Sequence, residues 1–200
     1  MHNFSLYPEL DVLEWINTAQ PIRLADLRGR VVVLHAFQML CPGCVSYGIP
    51  QAERIARTFP SKEVIVLGLH TVFEHHDVMT PAALRAFASE YRIRMPIAID
   101  RPAETGSVPT TMRLLQLQGT PSLVLLDKTG RIRHQHLGEV EDLRVGAEIG
   151  ALLMETAQSE HPVGSDIKTG ASPARGCDGD TCRVDPSMPG LERRYSSDAP

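Results

Sequence analysis

Residues 31–44 read VVVLHAFQMLCPGC: an apolar run typical of a buried strand, then two cysteines separated by two residues. After the second cysteine, apolar residues recur at spacings of four, three, four and three, which predicts a helix with one buried stripe. Cys41 would then lie where this helix begins. Unpaired N–H groups and the helix dipole at that position should lower its thiol pKa below the free value of about 8.5. The stripe consists of Val45, Ile49, Ala52, Ala56 and Phe59.

The spacing of the two cysteines is compatible with two chemistries, a zinc half-site and a redox dithiol. Residues 119–133 help to distinguish between the metal site and the redox dithiol. Residues 119–121 are Gly-Thr-Pro, and they precede a second apolar run at residues 122–126. A turn signal, DKTG at residues 127–130, then predicts a hairpin into residues 131–133.

A strand, a CxxC motif, a helix and then Thr-Pro before a hairpin resemble the thioredoxin superfamily. Residues 15–17 (WIN) and 22–30 (IRLADLRGR), ahead of the first strand, resemble its TlpA-like, AhpC/TSA-type redoxin branch. The resemblance covers residues 10–155. It implies an α/β, thioredoxin-like fold, in which a central mixed sheet is flanked by helices and preceded by an N-terminal β-hairpin extension.

The resemblance also implies roles for individual residues. Cys41 matches the attacking thiol, Cys44 the resolving thiol, and Pro121 the proline that is cis in this fold and packs beside the CxxC motif. The backbone of Thr120 matches the segment that pairs with a substrate chain like an added strand. Because such a proline hinders metal capture by the two thiols, we expect redox chemistry, a thiol-disulfide oxidoreductase with no cofactor.

Three further residues belong to the expected substrate-binding surface. Pro42 and Gly43 lie between the cysteines, where residues influence the reduction potential in this superfamily. Leu40 stands where thioredoxins usually carry Trp. His35 is a second departure, since it occupies the place of a buried acid. Its imidazole is a candidate to take the proton from Cys44, and the alternative is a core histidine that binds a backbone carbonyl.

A second group of histidines follows the apolar strand at residues 64–67. His70, His75 and His76 would share the CxxC edge if the two apolar strands run parallel. They form a weak candidate ligand set for a transition metal, since their spacing matches no known metal motif. The alternative is a polar rim of the site or a solvated loop.

Two alternatives to the oxidoreductase stay open. One is a peroxiredoxin-like thiol peroxidase with an antioxidant role, although Gln38 stands where peroxiredoxins carry Thr or Ser, three residues before the reactive cysteine. The other is a non-catalytic binding module with a structural disulfide.

Composition limits the partners. The net charge of −4 argues against nucleic acid or an anionic membrane, since both require a basic face. We expect a disulfide-containing protein or small molecule as substrate and a cellular thiol reductant as electron donor. The N-terminal residues show no signal-peptide pattern, which predicts a cytoplasmic location.

The other segments fit one domain over residues 1–157. Thr80-Pro81 predicts the start of a helix, residues 96–100 a strand and residues 110–117 a short helix. A last helix is expected to bury a stripe made of Leu143, Ala147, Ala151 and Met154.

Residues 158–200 are rich in Pro, Gly and Ser and predict a largely disordered tail. Two cysteines in this tail, Cys177 and Cys182, flank the residues DGDT. They are candidates for an electron relay to the first pair, for metal capture with Asp178 and Asp180, or for no role. A coil of roughly 20–30 residues spans about 25–30 Å, which is enough for a relay.

Overall fold

The molecule is built on a six-stranded mixed sheet with helices packed against it. The computed structural model describes residues 9–155 and the strand backbone of residues 177–178 and 181–183. The described strands are β1 (Val12–Ile16), β2 (Val31–Phe37), β3 (Val64–His70), β4 (Ile97–Asp100), β5 (Gly119–Thr120), β6 (Ser122–Leu126), β7 (Ile132–Leu137), β8 (Cys177–Asp178) and β9 (Thr181–Arg183). The described helices are α1 (Ile49–Thr58), α2 (Pro81–Glu90), α3 (Thr110–Leu114) and α4 (Asp142–Met154), with a 3-10 turn at Leu24–Leu27 and a π-helical turn at Cys44–Gly48.

The order of the strands in the large sheet is β1-β4-β3-β2-β6-β7. Strand β2 lies inside it, parallel to β3 and antiparallel to β6. All seven residues of β2 are buried, as expected for a strand covered on both faces. Residue pairing places Phe37 opposite His70 and Ala36 opposite Ser122. The ends of β2 and β3 and the start of β6 therefore meet at one edge, and the expected thioredoxin-like α/β fold is confirmed.

Among the described residues, which begin at residue 9, the N-terminal segment forms a single strand of the large sheet and no β-hairpin of its own. Strand β1 pairs antiparallel with β4, at the edge of the sheet farthest from β7. Asn17 explains why the chain turns away after β1, because its backbone adopts a positive φ of 59°. Its side-chain amide also donates hydrogen bonds to the carbonyls of Ile93 (2.9 Å) and Met95 (3.2 Å). The N-terminal segment thus extends the central sheet as an edge strand.

The helix that follows the CxxC motif begins directly after Cys41, as predicted, but its buried stripe is different. Pro42 and Gly43 are helical, and the π-helical turn at Cys44–Gly48 leads into α1. A π-turn holds more residues than an α-turn, so it shifts the phase of every position that follows. Ala56 is consequently exposed, and Val45 and Phe59 are only half-buried. The residues of α1 that are buried are Ile49, Gln51, Ala52 and Ile55.

The stripe predicted for the last helix was wrong. Leu143, Ala147, Ala151 and Met154 are all exposed, and Leu143 keeps 86% of its surface. Helix α4 buries Val145, Ile149 and Leu152 against the sheet instead. Both sets are apolar and recur at helical spacing, so the choice between them depended on which face meets the sheet.

The predicted start of α2 and the predicted turn between β6 and β7 are both present. The Thr80 hydroxyl accepts a hydrogen bond from the Ala83 N–H (3.2 Å) at the start of α2, with Pro81 in the first turn. The β6–β7 hairpin turns through Gly130, whose φ of 81° favours glycine. Among the described residues, no helix is long and apolar enough to cross a lipid bilayer.

Most of the predicted tail, residues 158–200, lies outside the described residues. The strand backbones within it, β8 and β9, form a small antiparallel sheet with β5 in the order β5-β9-β8. The expectation of disorder therefore does not hold for these two strands.

Candidate dithiol site

Cys41 lies at the edge where β2 ends and the helix begins. The Cys44 N–H donates a hydrogen bond to the Cys41 sulfur, with 3.2 Å between the nitrogen and Sγ. A backbone donor aimed at a sulfur favours negative charge on it. The Cys41 thiol in turn donates a hydrogen bond to the carbonyl oxygen of Thr120, 3.5 Å from Sγ. The first cysteine is thereby fixed between the start of the helix and the segment before Pro121.

Cys44 has no surface exposed to solvent, and Cys41 exposes only 1% of its surface. Burial raises the pKa of the Cys44 thiol well above its ordinary value, and the hydrogen bond and charge of Cys41 raise it further. The two sulfurs are therefore unequal. Cys44 is held as a neutral thiol, while Cys41 is the sulfur toward which an N–H donor points.

The Thr120–Pro121 peptide bond is cis, as the resemblance implied. Pro121 packs closely against Gly48, the last residue of the π-turn. A Cβ added at Gly48 would lie 3.0 Å from the Pro121 Cβ and 2.7 Å from Nε2 of His35. Glycine is thus required there by close packing, and Gly48 is a site residue that the sequence did not reveal.

His35 lies in β2, is 1% exposed and stacks on Phe37. Burial lowers the pKa of His35 to about 4, so the imidazole is neutral at neutral pH. No group among the described residues hydrogen-bonds its Nε2 atom. Beside it opens a cleft of about 140 Å³, lined by Tyr47, Gly48, Pro121 and Gly138 among others. The role of His35 in moving the Cys44 proton stays a prediction.

The second group of histidines does not converge. His70 is buried beneath the site edge, and burial lowers its pKa to about 3. His75 and His76 are exposed, and His76 Nε2 lies 3.3 Å from the Ser107 carbonyl. Across residues 9–155, side chains that could jointly hold a metal come together only at His134, His136 and Glu148, far along the chain. The described geometry offers no support for the weak metal candidates.

Gln38 ties the loop before Cys41 to the loop after β3. Its amide nitrogen donates to Glu74 (3.1 Å), and its amide oxygen accepts from the Phe73 N–H (3.2 Å). Both ends of the side chain are thus engaged in holding the two loops together. Sequence analysis singled out Gln38 only by comparison with the peroxidase pattern, because the residues that its side chain contacts lie 35 and 36 positions away.

The surface around the buried thiols is apolar and accessible. Leu40 is 57% exposed and Pro42 is exposed, while Gly43, Thr120 and both cysteines are buried. The predicted substrate-binding residues are therefore of two kinds. Leu40 and Pro42 are exposed at the surface, whereas Gly43 and Thr120 are buried.

Comparisons with known proteins agree with this geometry. Residues 5–135 match the family model described as the AhpC/TSA family. The chain belongs to the AhpC/TSA family. A crystal structure of a thiol-disulfide isomerase from Corynebacterium glutamicum is 51% identical, with 78% of this chain and all of that chain covered and a TM-score of 0.75. A thioredoxin-like superfamily protein of known structure is 54% identical, with 76% of this chain and 97% of that chain covered and a TM-score of 0.74.

Among curated proteins, NHL repeat-containing protein 2 of Bos taurus is 28% identical over 138 residues, which is 67% of this chain and 18% of that protein. The chain thus spans less than a fifth of the length of this relative. Family and structural neighbours together identify a thioredoxin-superfamily redoxin, with a redox function in general.

Proposed function

We propose that this protein is a thiol-disulfide oxidoreductase in which Cys41 attacks a substrate disulfide and Cys44 resolves the intermediate. The observation that carries the proposal is the inequality of the two sulfurs. Cys41 accepts a hydrogen bond from the Cys44 N–H, whereas burial raises the pKa of Cys44. A nucleophile must be a thiolate, and the resolving thiol must wait as the protonated form.

In the first step, the Cys41 thiolate attacks one sulfur of the substrate disulfide. A Cys41–substrate disulfide forms, the substrate disulfide breaks, and the second substrate sulfur leaves as a thiolate. In the next step, Cys44 gives up its proton and attacks the Cys41 sulfur. The Cys41–Cys44 disulfide forms, the first substrate sulfur leaves, and two electrons have passed from the dithiol to the substrate.

Substrate docking follows from the surface around Cys41. The exposed side chain of Leu40 offers apolar contact, and Thr120 offers backbone groups for a substrate strand. A disulfide-containing protein or small molecule would bind here, and a cellular thiol reductant would return the pair to the dithiol. The reducing direction and the cytoplasmic location stay predictions.

The peroxidase alternative receives less support from the site. Peroxiredoxins use a hydroxyl three residues before the reactive cysteine to hold the peroxide, and that position is Gln38 here. The Gln38 amide is buried and already bonded to Glu74 and to the Phe73 backbone. Reaction of Cys41 with peroxide would then be the slow oxidation open to any thiolate of low pKa.

The test compares Cys41→Ser and Cys44→Ser with the parent protein in reduction of insulin disulfides. Cys41→Ser should lower the rate by about 10³-fold or more, since it removes the nucleophile. Cys44→Ser should instead accumulate the mixed disulfide of Cys41 with the substrate, detected by mass spectrometry. Activity retained in Cys41→Ser would overturn the proposal.

Titration in glutathione redox buffers provides the matching equilibrium measurement. A Cys41–Cys44 disulfide that forms reversibly near the potential of thioredoxin, about −270 mV, is the expected result. Passage of Cys41 straight to sulfenic and sulfinic acid, without pairing to Cys44, would favour the peroxidase instead.

A further inference from the structure

The backbone that would receive a substrate strand is already paired within this chain. Strand β9 lies antiparallel to β5, with Cys182 opposite Thr120 and Arg183 opposite Gly119. Thr120 is the residue whose carbonyl contacts the Cys41 sulfur at 3.5 Å. A cysteine of the C-terminal segment is therefore in register with the residue beside the candidate nucleophile.

The second cysteine of that segment belongs to the same hairpin. Strands β8 and β9 pair antiparallel, with Cys177 directly opposite Cys182. Directly opposed residues of antiparallel strands have Cα atoms about 4.5–5.5 Å apart, within the range of about 4.4–6.8 Å that a disulfide bridges. The intervening Gly179-Asp180 is a dipeptide that favours two-residue hairpin connections. The backbone thus holds two cysteines in a register that permits their pairing.

Strand addition to an edge is a recognised way of binding an extended segment, because unpaired N–H and C=O groups provide the affinity. Strand β5 is only two residues long and belongs to the small sheet rather than the central one. Its pairing with β9 uses the Thr120 backbone, which the proposed function assigns to an external substrate. The same backbone cannot pair with both strands at once.

We propose that the Cys177–Cys182 hairpin is an intramolecular disulfide partner of Cys41 and Cys44, docked in the place of a substrate strand. The proposal rests on the proposed function, since it needs Cys41 to be the nucleophile. It gives the second cysteine pair the position of a built-in substrate. External disulfides must then displace the hairpin from β5.

The exchange balances in atoms and electrons. Starting from the reduced first pair and the oxidised hairpin, the Cys41 thiolate attacks Cys182. The Cys41–Cys182 disulfide forms, the Cys177–Cys182 disulfide breaks, and Cys177 leaves as a thiolate that takes up a proton. Cys44 attacks Cys41, the Cys41–Cys182 disulfide breaks and the Cys41–Cys44 disulfide forms, and the proton lost by Cys44 balances the one that makes the leaving Cys182 a thiol. Two electrons pass to the hairpin, and the reverse sequence returns them.

Two full-length double variants test the register. Cys44→Ser with Cys177→Ser leaves Cys41 and Cys182, whereas Cys44→Ser with Cys182→Ser leaves Cys41 and Cys177. Position 177 lies on β8, one strand farther from β5 than β9, which is a further 4.7–4.9 Å or so. After mild oxidation with diamide, peptide mass spectrometry measures the disulfide formed in each. The Cys41–Cys182 disulfide should form at least about tenfold faster than the Cys41–Cys177 disulfide.

The dependence on protein concentration shows whether the exchange is intramolecular. The fraction of Cys41–Cys182 disulfide at a fixed time should stay constant over a hundredfold dilution, because both thiols belong to one chain. A rate that falls with dilution, or equal rates for the two double variants, would overturn the proposal.

A third variant separates docking from thiol chemistry. Arg183→Pro removes a backbone N–H from β9 without altering Cys41 or Cys182, and Arg183→Ala is its matched control. Arg183→Pro should slow Cys41–Cys182 formation about tenfold when combined with Cys44→Ser and Cys177→Ser, whereas Arg183→Ala should not. Equal rates for the two would mean that β9 pairing does not guide the exchange.

Failure of this proposal is distinguishable from failure of the proposed function. If Cys44→Ser traps insulin on Cys41 but no Cys41–Cys182 disulfide forms, the dithiol activity stands and the hairpin is not its partner. If Cys41 traps neither, the nucleophile itself has been misassigned. Trapping of both supports the two proposals together.

Discussion

Titratable side chains have different environments in two regions of the molecule. One is the thiol edge, where β2 ends beside Cys41, and the other is the face between β7 and α4. At the thiol edge, His35 and His70 are buried with ring nitrogens that no described residue hydrogen-bonds, and Cys44 is held as a thiol. Between β7 and α4, His136 Nε2 lies 2.7 Å from Glu148, and Arg144 donates to the same carboxylate. In the first region burial keeps His35, His70 and Cys44 neutral, and in the second region the carboxylates stay charged and paired.

The pKa values of Glu148 and Asp127, near β7, show why the carboxylates of the second region stay ionised. Burial works against ionisation of Glu148, but hydrogen bonds from His136 and Arg144 outweigh it and lower its pKa. Burial likewise opposes ionisation of Asp127, and hydrogen bonds from Thr129 and Arg131 with the charge of Arg133 lower its pKa. Desolvation is present in both regions, so the presence or absence of partners decides which form is stable. At the thiol edge, burial without compensating hydrogen bonds lowers the pKa of His35 and His70, which are therefore neutral at pH 7.

The largest effect on stability is expected from adding an uncharged group to the closely packed thiol edge. Gly48→Ala introduces a methyl 2.7 Å from His35 Nε2 and 3.0 Å from the Pro121 Cβ, so helix or strand must shift. We expect the free energy of unfolding to fall by about 3 kcal/mol. Disulfide reduction should slow as well, because the same shift moves Pro121 away from Cys41. Urea denaturation and the insulin assay measure the two effects.

Gly146→Ala is the matched control, since Gly146 is also helical and an added Cβ meets nothing within 4 Å. It should stabilise the protein by about 0.5–1 kcal/mol through helix propensity, with unchanged activity. If Gly48→Ala proves equally harmless, the close packing at the π-turn does not constrain the site.

The neutral histidines predict how stability depends on pH. Folded His70 keeps a pKa of about 3, whereas an unfolded histidine takes up a proton near pH 6.5. The unfolded state therefore binds more protons as the pH falls below 6.5, and the folded state loses stability. His35 acts in the same direction down to about pH 4. Asp100 acts in the opposite direction, because burial raises its pKa to about 6 and the folded state then binds the extra proton between about pH 4 and 6.

His70→Leu should reduce this loss of stability by about 2.5 kcal/mol between pH 7 and pH 4.5. Urea denaturation at pH 7, 5.5 and 4.5 measures it. His76→Leu serves as the control, because His76 is exposed and should leave the slope unchanged. An identical slope in His70→Leu and the parent would show that His70 titrates normally in the folded protein.

The paired region is probed by removing one charge. Arg133 is 12% exposed and binds Glu155 through its Nη2 atom at 3.0 Å and Asp127 through its Nη1 atom at 3.4 Å. Arg133→Met should leave the carboxylates of Asp127 and Glu155 without the cation that both bind and cost about 1–2 kcal/mol of stability. Disulfide reduction should not change, because this cluster lies outside the thiol edge. The control Arg85→Met breaks an exposed pair with Glu14 and should cost no more than about 0.5 kcal/mol.

The contrast between the two regions also explains what the sequence could and could not predict. Strand β2, the helix start at Cys41 and the hairpin after Pro121 follow local patterns of only a few residues, and all three are present. Gly48 and Gln38 depend on contacts with distant segments, so no local pattern marks them. The buried face of α4 was missed for the same reason. Apolar spacing alone does not identify which of two stripes meets the sheet.

The smallest expected effect concerns the exposed side of the thiol edge. Leu40 is 57% exposed beside Cys41, so its side chain contributes little to folding and is available to a docking chain. Leu40→Ser should leave the free energy of unfolding unchanged within about 0.5 kcal/mol. The KM for insulin should rise about three- to fivefold, since part of an apolar contact is lost, while kcat stays the same.

Leu114→Ser is the matched control for Leu40→Ser, because Leu114 is 50% exposed but lies at the end of α3. It should change neither stability nor KM. Equal KM values for the two variants would mean that apolar contact at Leu40 plays no part in docking. A fall in kcat for Leu40→Ser would instead show that this side chain positions Cys41, and the thiol edge would then extend to the surface of the protein.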